Sequence, residues 1–391
     1  MLIQKKRLAV LLTHPVQYFK PVFKALAASQ EIELMVFFGC NHGIIASHDP
    51  DFGLAFAWDN APTEGFNHFF ISRDPLKNLS STPRALQLAW FACQKISAFK
   101  PDLILIFAYS PLFITASTLL LAASGKNLFL RADGTDRAFN RSTWKSWLKD
   151  LLLWPYYRLF KKIFPIGKDS NDHFARLGVT EKNREMVPFA VDVNYFQQQV
   201  EYWQAKRSQL RAELGIQENV EVLLSVGKIT AIKGQLLIAD ALALLPLERR
   251  KQICLVVVGD GPLRQQLAAA LNAVLPGCYF FTGFQNQSQL GRFYSVADSF
   301  IFPSLQGETW GLVVNEALQF GLRVVASDHP GCVRDLLQTS PHQIFKSGNS
   351  KDLSAILNRP WKKENFDKLI CRNLPKPEHL AGAIIRSILF I

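Results

Sequence analysis

The residues with the clearest chemical potential are two glutamates, Glu308 and Glu316, in the segment LQGETWGLVVNEALQFG. Gly311 and Leu312 stand between them where a helix is expected to begin, so free backbone N–H groups would point at an anion. Glu316 would lie one to two turns inside this helix, where its carboxylate can accept two hydrogen bonds from a vicinal diol. Glu308, in the preceding loop, can accept from other hydroxyls. The alternative is that both are solvated surface acids.

Two lysines stand on either side of a predicted strand-to-helix turn in the segment SVGKITAIKG. Lys228 and Lys233 are five residues apart and can reach one diphosphate, while Gly227 lets the backbone approach it closely. A second segment, LVVVGDGPLRQQL, also passes from a buried strand into a helix. The alternative for the lysines is a pair of solvated side chains beside a turn.

Short apolar strands alternate with helical segments along both halves of the chain, which positions these residues after strands. In the first half the predicted strands are Leu8–Leu12, Glu33–Phe37, Leu103–Phe107, Leu128–Arg131 and Ile163–Ile166, with helices over Val16–Ala28 and Arg84–Phe99. In the second half they are Val222–Val226, Cys254–Val258, Cys278–Phe281, Ser299–Phe302 and Arg323–Ala326. The alternation predicts an α/β protein of two doubly wound, Rossmann-like domains that face a cleft, with ligands beyond the carboxyl ends of the strands.

A chain of 391 residues exceeds the usual size of one hydrophobic core, so two domains are expected. The mixed segment VPFAVDVNYFQQQVE marks a boundary, and we predict an acceptor-side domain over 1–195 and a donor-binding domain over 196–370. Residues 371–391 are predicted to form a helix that packs back on one of the two domains, and the helix could cross to the first domain. The uncharged stretch 103–125 favours a strand followed by a helix, with a transmembrane segment as the alternative.

Composition limits the classes of partner. Lys and Arg total 44 against 32 Asp and Glu, and the net charge of +12 suits an anionic partner. The six cysteines have no C-x-x-C spacing and no neighbouring histidine cluster, which predicts reduced thiols in a cytoplasmic protein and no metal site.

Residues 137–162 form a basic and aromatic segment with seven Lys or Arg against one acid, Asp150. Trp144 and Trp147 share one predicted helical face with leucines, while Lys145 lies on another. This pattern predicts an amphipathic helix at an anionic membrane surface. The alternative is a partly buried helix with a solvated basic face. Nucleic acid is disfavoured as a partner because no recognition module is present.

Taken in order, the segments VGKITAIKG, VVVGDGP, FTGF, YSVADSFIFPS and GETWGLVVNEALQFGLRVVASDHPG resemble the donor-binding domain of family 4 retaining glycosyltransferases, which have the GT-B fold. The match includes the E-x7-E element of that family. The first half resembles the family more loosely, through THPVQYFKPVFKALA and VPFAVDVNYF.

The resemblance implies roles for the matched residues. Lys228 and Lys233 would contact the donor diphosphate, Glu308 the transferred sugar and Glu316 the ribose diol. Lys228, Lys233 and Glu308 are the catalytic candidates. The backbone positions expected to bind the donor are Gly227, Gly283, Phe284, Gly311, Leu312 and Val313. The resemblance also implies retention of configuration, no metal, and no cofactor beyond a UDP-sugar or GDP-sugar donor.

The first half departs from the family, in which many members carry a donor-contacting His after the strand that here ends at Phe107. Tyr109 stands in that region. His14 is the candidate replacement, the alternative being a structural turn histidine. Arg131 and Asp133 end another strand and complete the acceptor-side candidates. Asp133 would orient or deprotonate the acceptor hydroxyl.

From the resemblance we expect a retaining glycosyltransferase that moves a sugar from a nucleoside-diphosphate sugar to a glycan or lipid-linked glycan. Its expected setting is surface polysaccharide or glycoconjugate synthesis, in the cytoplasm or on the inner face of the plasma membrane. Two alternatives use the same scaffold: a non-hydrolysing nucleotide-sugar epimerase, and a catalytically silent nucleotide-sugar-binding scaffold.

Overall fold

A computed structural model of the chain describes residues 5–44, 47–49, 54–56, 59, 61–138, 143–339, 343–361 and 374–390. Arg141 of the basic segment, Cys371 and the predicted boundary at 370/371 lie outside these residues. The five cysteines that the structure describes are free.

The first half forms a six-stranded parallel sheet in the order β5-β2-β1-β6-β7-β8. A separate antiparallel pair joins β3 to β4. The strands of this half are β1 Lys6–Leu12, β2 Ile32–Phe38, β3 Ser47–Asp49, β4 Leu54–Phe56, β5 His68–Phe70, β6 Leu103–Phe107, β7 Leu128–Ala132 and β8 Lys162–Pro165.

The second half repeats the arrangement in a six-stranded parallel sheet ordered β11-β10-β9-β12-β13-β14. Its strands are β9 Glu221–Val226, β10 Ile253–Val258, β11 Tyr279–Phe281, β12 Ser299–Phe302, β13 Arg323–Ser327 and β14 Gln343–Phe345.

Helices cover both faces of each sheet. Those of the first half are α1 Lys20–Ala28, α2 Thr82–Phe99, α3 Leu112–Ala123, α4 Thr143–Tyr157 and α5 Lys168–Arg176. Those that follow are α6 Val193–Gln204, α7 Arg207–Glu213, α8 Leu236–Ala243, α9 Leu247–Arg250, α10 Arg264–Val274, α11 Gln287–Val296, α12 Leu312–Gln319, α13 Val333–Leu336, α14 Ser350–Leu357 and α15 Pro377–Leu389.

The two-domain α/β fold predicted from the alternation is confirmed. Each predicted strand matches an observed one within two residues at either end, because a strand buried on both faces reads as a short, continuous apolar run. The uncharged stretch 103–125 is β6 followed by α3. In the part of the chain that the structure describes, no helix is both long enough and apolar enough to cross a membrane.

The strand order reverses direction at the same place in both sheets. In the first sheet the reversal lies between β1 and β6, and in the second between β9 and β12. Loops that leave adjacent strands towards opposite faces open a crevice at such a point, where doubly wound sheets bind ligands. The loops after these four strands therefore hold the residues to examine for chemistry.

The chain passes between the domains near Val191, which is buried in the second core together with Phe196. The predicted boundary at 195/196 falls inside α6 and stays a prediction. At the other end of the chain, α15 packs on the first domain, where Ile384 and Ile388 share a core with β1 and α1.

Candidate active site

A cleft of about 360 Å³ lies between the strand ends of the first domain and the start of α12 in the second. Leu12 and Phe107, which end β1 and β6, form part of its wall, and Leu312 closes it from the other domain. His14, Arg131 and Asp133 also line this cleft, whereas most of the remaining wall is apolar or aromatic. The residues that line it are Leu12, Thr13, His14, Val16, Tyr18, Phe19, Phe107, Ala108, Ser110, Arg131, Ala132, Asp133, Ile166, Phe189 and Leu312.

Lys233 and Glu308 are brought together from loops that follow β9 and β12. The Lys233 ammonium donates a hydrogen bond to Glu308 Oε2, and both side chains are partly buried. Fixed cations beside a leaving phosphate stabilise the charge that develops on it. The pair therefore places one cation and one carboxylate side by side between the two loops.

Glu316 lies inside α12 and is only 1% exposed. Its Oε2 accepts a hydrogen bond from the Tyr294 hydroxyl at 2.8 Å. Burial raises the pKa of Glu316 to about 7, although hydrogen bonds with Tyr294 and Gln287 act in the opposite direction. A carboxyl poised near neutral pH in a buried position is a mark of a functional site.

Tyr18 follows β1 in the first domain and lies close enough to the Glu316 carboxyl to feel its charge. Burial and, second, the charge of Glu316 raise the pKa of Tyr18 well above its usual value, so the phenol stays protonated. The side chain also lines the cleft. Helix α12 and the segment after β1 therefore approach each other at this carboxyl.

The start of α12 has the form expected of an anion-binding helix terminus. Gly311 precedes the helix with φ of 107°, and a Cβ there would come within 2.7 Å of the Phe302 ring. Leu312 and Val313 begin the helix, and Leu312 faces the cleft. The first-turn N–H groups have no carbonyl four residues earlier within the helix to bond, and Val314 donates instead to the carbonyl of Gly311 at 2.9 Å.

Gly227, Gly283 and Phe284 lie at the carboxyl edge of the second sheet. The Gly259 N–H donates to the carbonyl of Gly283 at 2.9 Å, and the Gly227 N–H donates to the carbonyl of Val258 at 2.9 Å. Next to Gly227, the carbonyl of Lys228 accepts from Gln235 Nε2 at 2.8 Å. The loops with predicted donor contacts are therefore tied together at their backbones.

His14 lies at the cleft as a neutral imidazole. Burial, aided by neighbouring His42, lowers the pKa of His14 to about 4. Its Nδ1 is 2.9 Å from Thr13 Oγ1, and its ring meets that of His42 edge-on at 5.3 Å. It can exchange hydrogen bonds with a ligand but carries no charge at pH 7.

Asp133 joins the two domains at the cleft. Thr309, next to Glu308, donates its hydroxyl to Asp133 Oδ2 at 3.1 Å. The first-domain carboxylate therefore stands beside the E-x7-E loop, and an acceptor bound there would meet it.

Arg131 lines the cleft, but its guanidinium is hydrogen-bonded to backbone carbonyls of the first domain. Its Nη1 donates to the carbonyls of Phe164 at 3.2 Å, Pro165 at 3.1 Å and Val187 at 2.5 Å. The guanidinium also lies 4.9 Å from the Phe189 ring centre. Burial lowers its pKa to about 9, which still leaves it charged at neutral pH. These contacts give Arg131 a positioning role.

Tyr109 is not among the residues that line the cleft. Its ring packs against the first core and lies 5.4 Å from Lys149 Nζ of α4. At the same strand end, Ala108 does face the cleft and has φ of 64°, an uncommon value for a residue other than glycine. Ala108 and Ser110, on either side of the predicted Tyr109, line the cleft in its place.

Several residues of the site carried no clear sequence signal. Tyr18 approaches Glu316 from the first domain, whereas Gln287 and Tyr294 both come from α11. Only the separation of seven residues between the last two, two helical turns, could have been read from the chain. Asn315 donates to the carbonyl of Phe189 at 3.1 Å and accepts from Trp310 Nε1 at 2.8 Å, which ties α12 to the crossing between the domains. Among the described residues, no group of three or more potential ligands is placed to hold a metal ion.

Two six-stranded parallel sheets that face one cleft are the arrangement of the GT-B fold. A crystal structure of HepE from Anabaena in complex with UDP and glucose has the same fold, with a TM-score of 0.70 and 16% identity over 99% of this chain and 100% of that one.

Sequence comparison finds that residues 206–373 are similar to the family described as Glycosyl transferases group 1. The alpha-monoglucosyldiacylglycerol synthase of Streptococcus pneumoniae is 32% identical over 148 residues, 38% of this chain and 33% of that protein. The amylovoran biosynthesis glycosyltransferase AmsK of Erwinia amylovora is 31% identical over 145 residues, 35% of each chain. The chain thus spans about a third of the length of these curated relatives. The resemblance to family 4-like GT-B glycosyltransferases is confirmed.

Proposed function

We propose that this chain is a retaining glycosyltransferase that moves a sugar from a nucleoside-diphosphate sugar to a glycan or lipid-linked glycan. The observation that carries the proposal is the convergence of Lys233, Glu308 and Glu316 at the start of α12, inside the segment that matches the glycosyltransferase family. Each residue type suits one part of such a donor: diphosphate, sugar hydroxyls and ribose diol.

In this proposal the donor diphosphate lies between Lys228, Lys233 and the backbone N–H groups of 311–313. Lys233 then exchanges part of its bond with Glu308 for a phosphate oxygen, which releases the carboxylate for the sugar hydroxyls. Because the lysines and helix-terminal amides are fixed before the bond breaks, they stabilise the leaving diphosphate without reorganisation.

The transfer forms a bond between the acceptor oxygen and the anomeric carbon and breaks the bond from that carbon to the diphosphate. Retention places the acceptor on the face from which the diphosphate leaves, and the acceptor proton passes to a leaving phosphate oxygen. Asp133 orients the acceptor hydroxyl, as its contact with Thr309 beside Glu308 allows.

The name of one relative refers to monoglucosyldiacylglycerol, and that of another to amylovoran biosynthesis. These names support a lipid-linked or polysaccharide acceptor and a setting in surface glycoconjugate synthesis. We accordingly place the protein in the cytoplasm, peripherally on the inner face of the plasma membrane, with the segment 137–162 towards the lipid.

The donor site can be tested by thermal unfolding with UDP, GDP and ADP. UDP comes first because HepE was crystallised with it. A nucleotide at 100 times its dissociation constant adds about 2.7 kcal/mol to the free energy of unfolding. We expect UDP or GDP to stabilise the wild type, Lys233→Ala to remove most of that gain, and Glu316→Gln to remove about half of it.

Lys251 and Glu248 supply the matched control, since they form an exposed ion pair on the same domain at 2.8 Å. Lys251→Ala and Glu248→Ala should keep the full nucleotide response. A wild type that no nucleotide stabilises would contradict the proposed site. Nucleotide binding without sugar transfer to any acceptor would favour the silent scaffold, and conversion of the donor sugar alone would favour the epimerase.

A further inference from the structure

The loop that follows β7 joins the two domains at more than one point. We call its described residues, 133–138, the bridging segment. Besides the bond between Asp133 and Thr309, the Ala138 carbonyl accepts from the Gly307 N–H at 2.5 Å. Thr309 and Gly307 are the chain neighbours of the glutamate proposed to bind the transferred sugar. The bridging segment therefore holds the loop that carries this glutamate on both sides of it.

The bridging segment also reaches the loop after β13. Arg137 Nη2 donates to the carbonyl of Asp328 at 2.8 Å, and His329 Nε2 lies 3.3 Å from the Ala138 carbonyl oxygen. Two loops of the second domain thus contact one short segment of the first. A loop keeps such contacts in one arrangement only if its own domain holds it in place.

Inside the first domain, Asp136 connects the bridging segment to a buried histidine. Asp136 Oδ1 is 2.8 Å from Nδ1 of His173, which is only 1% exposed. The other ring nitrogen, Nε2, is 3.3 Å from the Tyr157 hydroxyl. Burial lowers the pKa of His173, although Asp136 acts in the opposite direction, so the ring is neutral at pH 7. Because a carboxylate can only accept, Nδ1 carries the ring proton and Nε2 accepts from the tyrosine.

Two side chains hold Asp136, and they differ in burial. Arg176 Nε donates to Asp136 Oδ2 at 2.8 Å, but both of these side chains are 45% exposed, and exposed ion pairs contribute little. The His173 ring is shielded from water and packs on the segment backbone, since a Cβ on Gly134 would lie 3.0 Å from its Cδ2. We propose that His173 is a positioning residue, which holds the bridging segment through Asp136 and so keeps it against the loop of Glu308.

In the proposed transfer, this anchor would give the acceptor-side carboxylate a fixed place before any substrate binds. Asp133 belongs to the same short segment as Asp136, so the anchor limits the movement of both. A group that orients a reacting hydroxyl must be held to within about 0.5 Å of its productive position. The inference rests on the proposed function for the role of Asp133, whereas the anchor itself can be tested without substrate.

The test uses two substitutions that replace different ring nitrogens. Asparagine Nδ2 lies nearly where histidine Nδ1 lies, so His173→Asn keeps the donor to Asp136. Glutamine Nε2 corresponds to histidine Nε2, so His173→Gln keeps a polar atom towards Tyr157 and loses the anchor. The Gly307 N–H reports the outcome by amide hydrogen exchange resolved to single residues, because its partner is the Ala138 carbonyl. We expect exchange about tenfold faster in His173→Gln and within about twofold of the wild type in His173→Asn.

Leu305 supplies the internal control, because its N–H donates within the second domain, to the carbonyl of Ile232 at 2.8 Å. Its exchange should stay unchanged in both variants. Equal acceleration at Leu305 and Gly307 would show a general loss of stability and overturn the positioning role. Wild-type exchange at Gly307 in His173→Gln, or equal acceleration in the two variants, would overturn it as well.

Asp136→Ala removes the same hydrogen bond from its exposed side, so it keeps the proposal testable if the histidine cannot be replaced. It should accelerate exchange at Gly307 about tenfold. Arg176→Gln removes only the exposed partner of Asp136 and should change this exchange by less than about twofold. Equal acceleration by Asp136→Ala and Arg176→Gln would identify the arginine as the anchor and overturn the role of His173.

The nucleotide response separates this inference from the proposed function. Both His173 variants should keep the stabilisation by UDP or GDP, because Lys233 and Glu316 are unchanged. Faster exchange at Gly307 with an intact nucleotide response supports the anchor. A wild type without any nucleotide response, but with the expected exchange pattern in the variants, contradicts only the donor site.

Discussion

The titration of Glu316 bears on the stability of the fold and on the proposed donor site. The carboxyl is removed from water and has the Tyr294 hydroxyl at 2.8 Å, with Gln287 as a further hydrogen-bond partner. A glutamate with pKa near 4.3 in the unfolded chain reaches about 7 in the fold. Between these values the folded protein holds a proton that the unfolded chain has released, so the free energy of unfolding falls as pH rises through this window.

The same titration predicts that donor binding strengthens with pH. A ribose diol donates hydrogen bonds, and the carboxylate accepts them better than the neutral acid does. UDP affinity measured by calorimetry should therefore rise roughly tenfold from about pH 6 to about pH 8, as Glu316 ionises around its pKa of about 7.

Glu316→Gln separates this effect from the titration of UDP itself. The amide keeps the size of the side chain and an acceptor oxygen, but it cannot ionise, so the variant should retain only the pH dependence of the nucleotide. A variant with the same pH dependence as the wild type would show that another group titrates.

At the scale of elements, the donor loops depend on close approach of backbones at the ends of β9, β10 and β11. The Gly259 N–H donates to the Gly283 carbonyl, and a Cβ on Gly259 would lie 2.0 Å from the carbonyl oxygen of Gly227. Three loops thus share one crowded junction, which explains why glycines occur where the strands end.

Gly259→Ala is expected to disrupt this junction. The new methyl group meets backbone that cannot yield, so we expect a loss of more than about 3 kcal/mol in the free energy of unfolding, together with loss of UDP binding. Gly215 is the control, because it has φ of 68° but no atom near a Cβ. Gly215→Ala should cost only about 1 kcal/mol, the strain of a left-handed alanine. Urea titration of both variants compares their free energies of unfolding. Equal losses would show that backbone strain, and not the steric clash at Gly259, sets the cost.

At the scale of the whole molecule, the ends of the chain close the structure. α15 follows the second domain yet buries its apolar face on α1 and β1, and Arg386 pairs with Glu185 at 2.9 Å. Other contacts cross the cleft, including Asp169 with Arg334 and Arg137 with the carbonyl of Asp328 at 2.8 Å. The second domain is therefore attached to the first at several separate points.

Ile384→Ala tests the contribution of the returning helix. Ile384 is fully buried, and truncation of such a side chain costs about 2–5 kcal/mol. We expect the first domain to unfold at a lower urea concentration. Amide hydrogen exchange in β1 measures this unfolding. Leu389, at the exposed end of the same helix, is the control, and Leu389→Ala should change stability by less than about 1 kcal/mol. Equal effects from the two variants would contradict the packing.

The amino-acid sequence by itself determined the two sheets, the strand ends and the order of the donor-side segments around Lys233, Glu308 and Glu316. Hydrophobic periodicity and strand-end glycines are local signals, and parallel strands bring their following loops to one edge without further information.

Only the tertiary structure decided which side chains meet. It pairs Lys233 with Glu308, brings Asp133 to Thr309 across the cleft, turns Tyr109 towards α4, and leaves Trp90 of α2 exposed. These partners come from segments far apart in the chain, and their distances depend on how the domains and helices pack. Packing is the sum of many weak contacts, so no spacing along the chain encodes it.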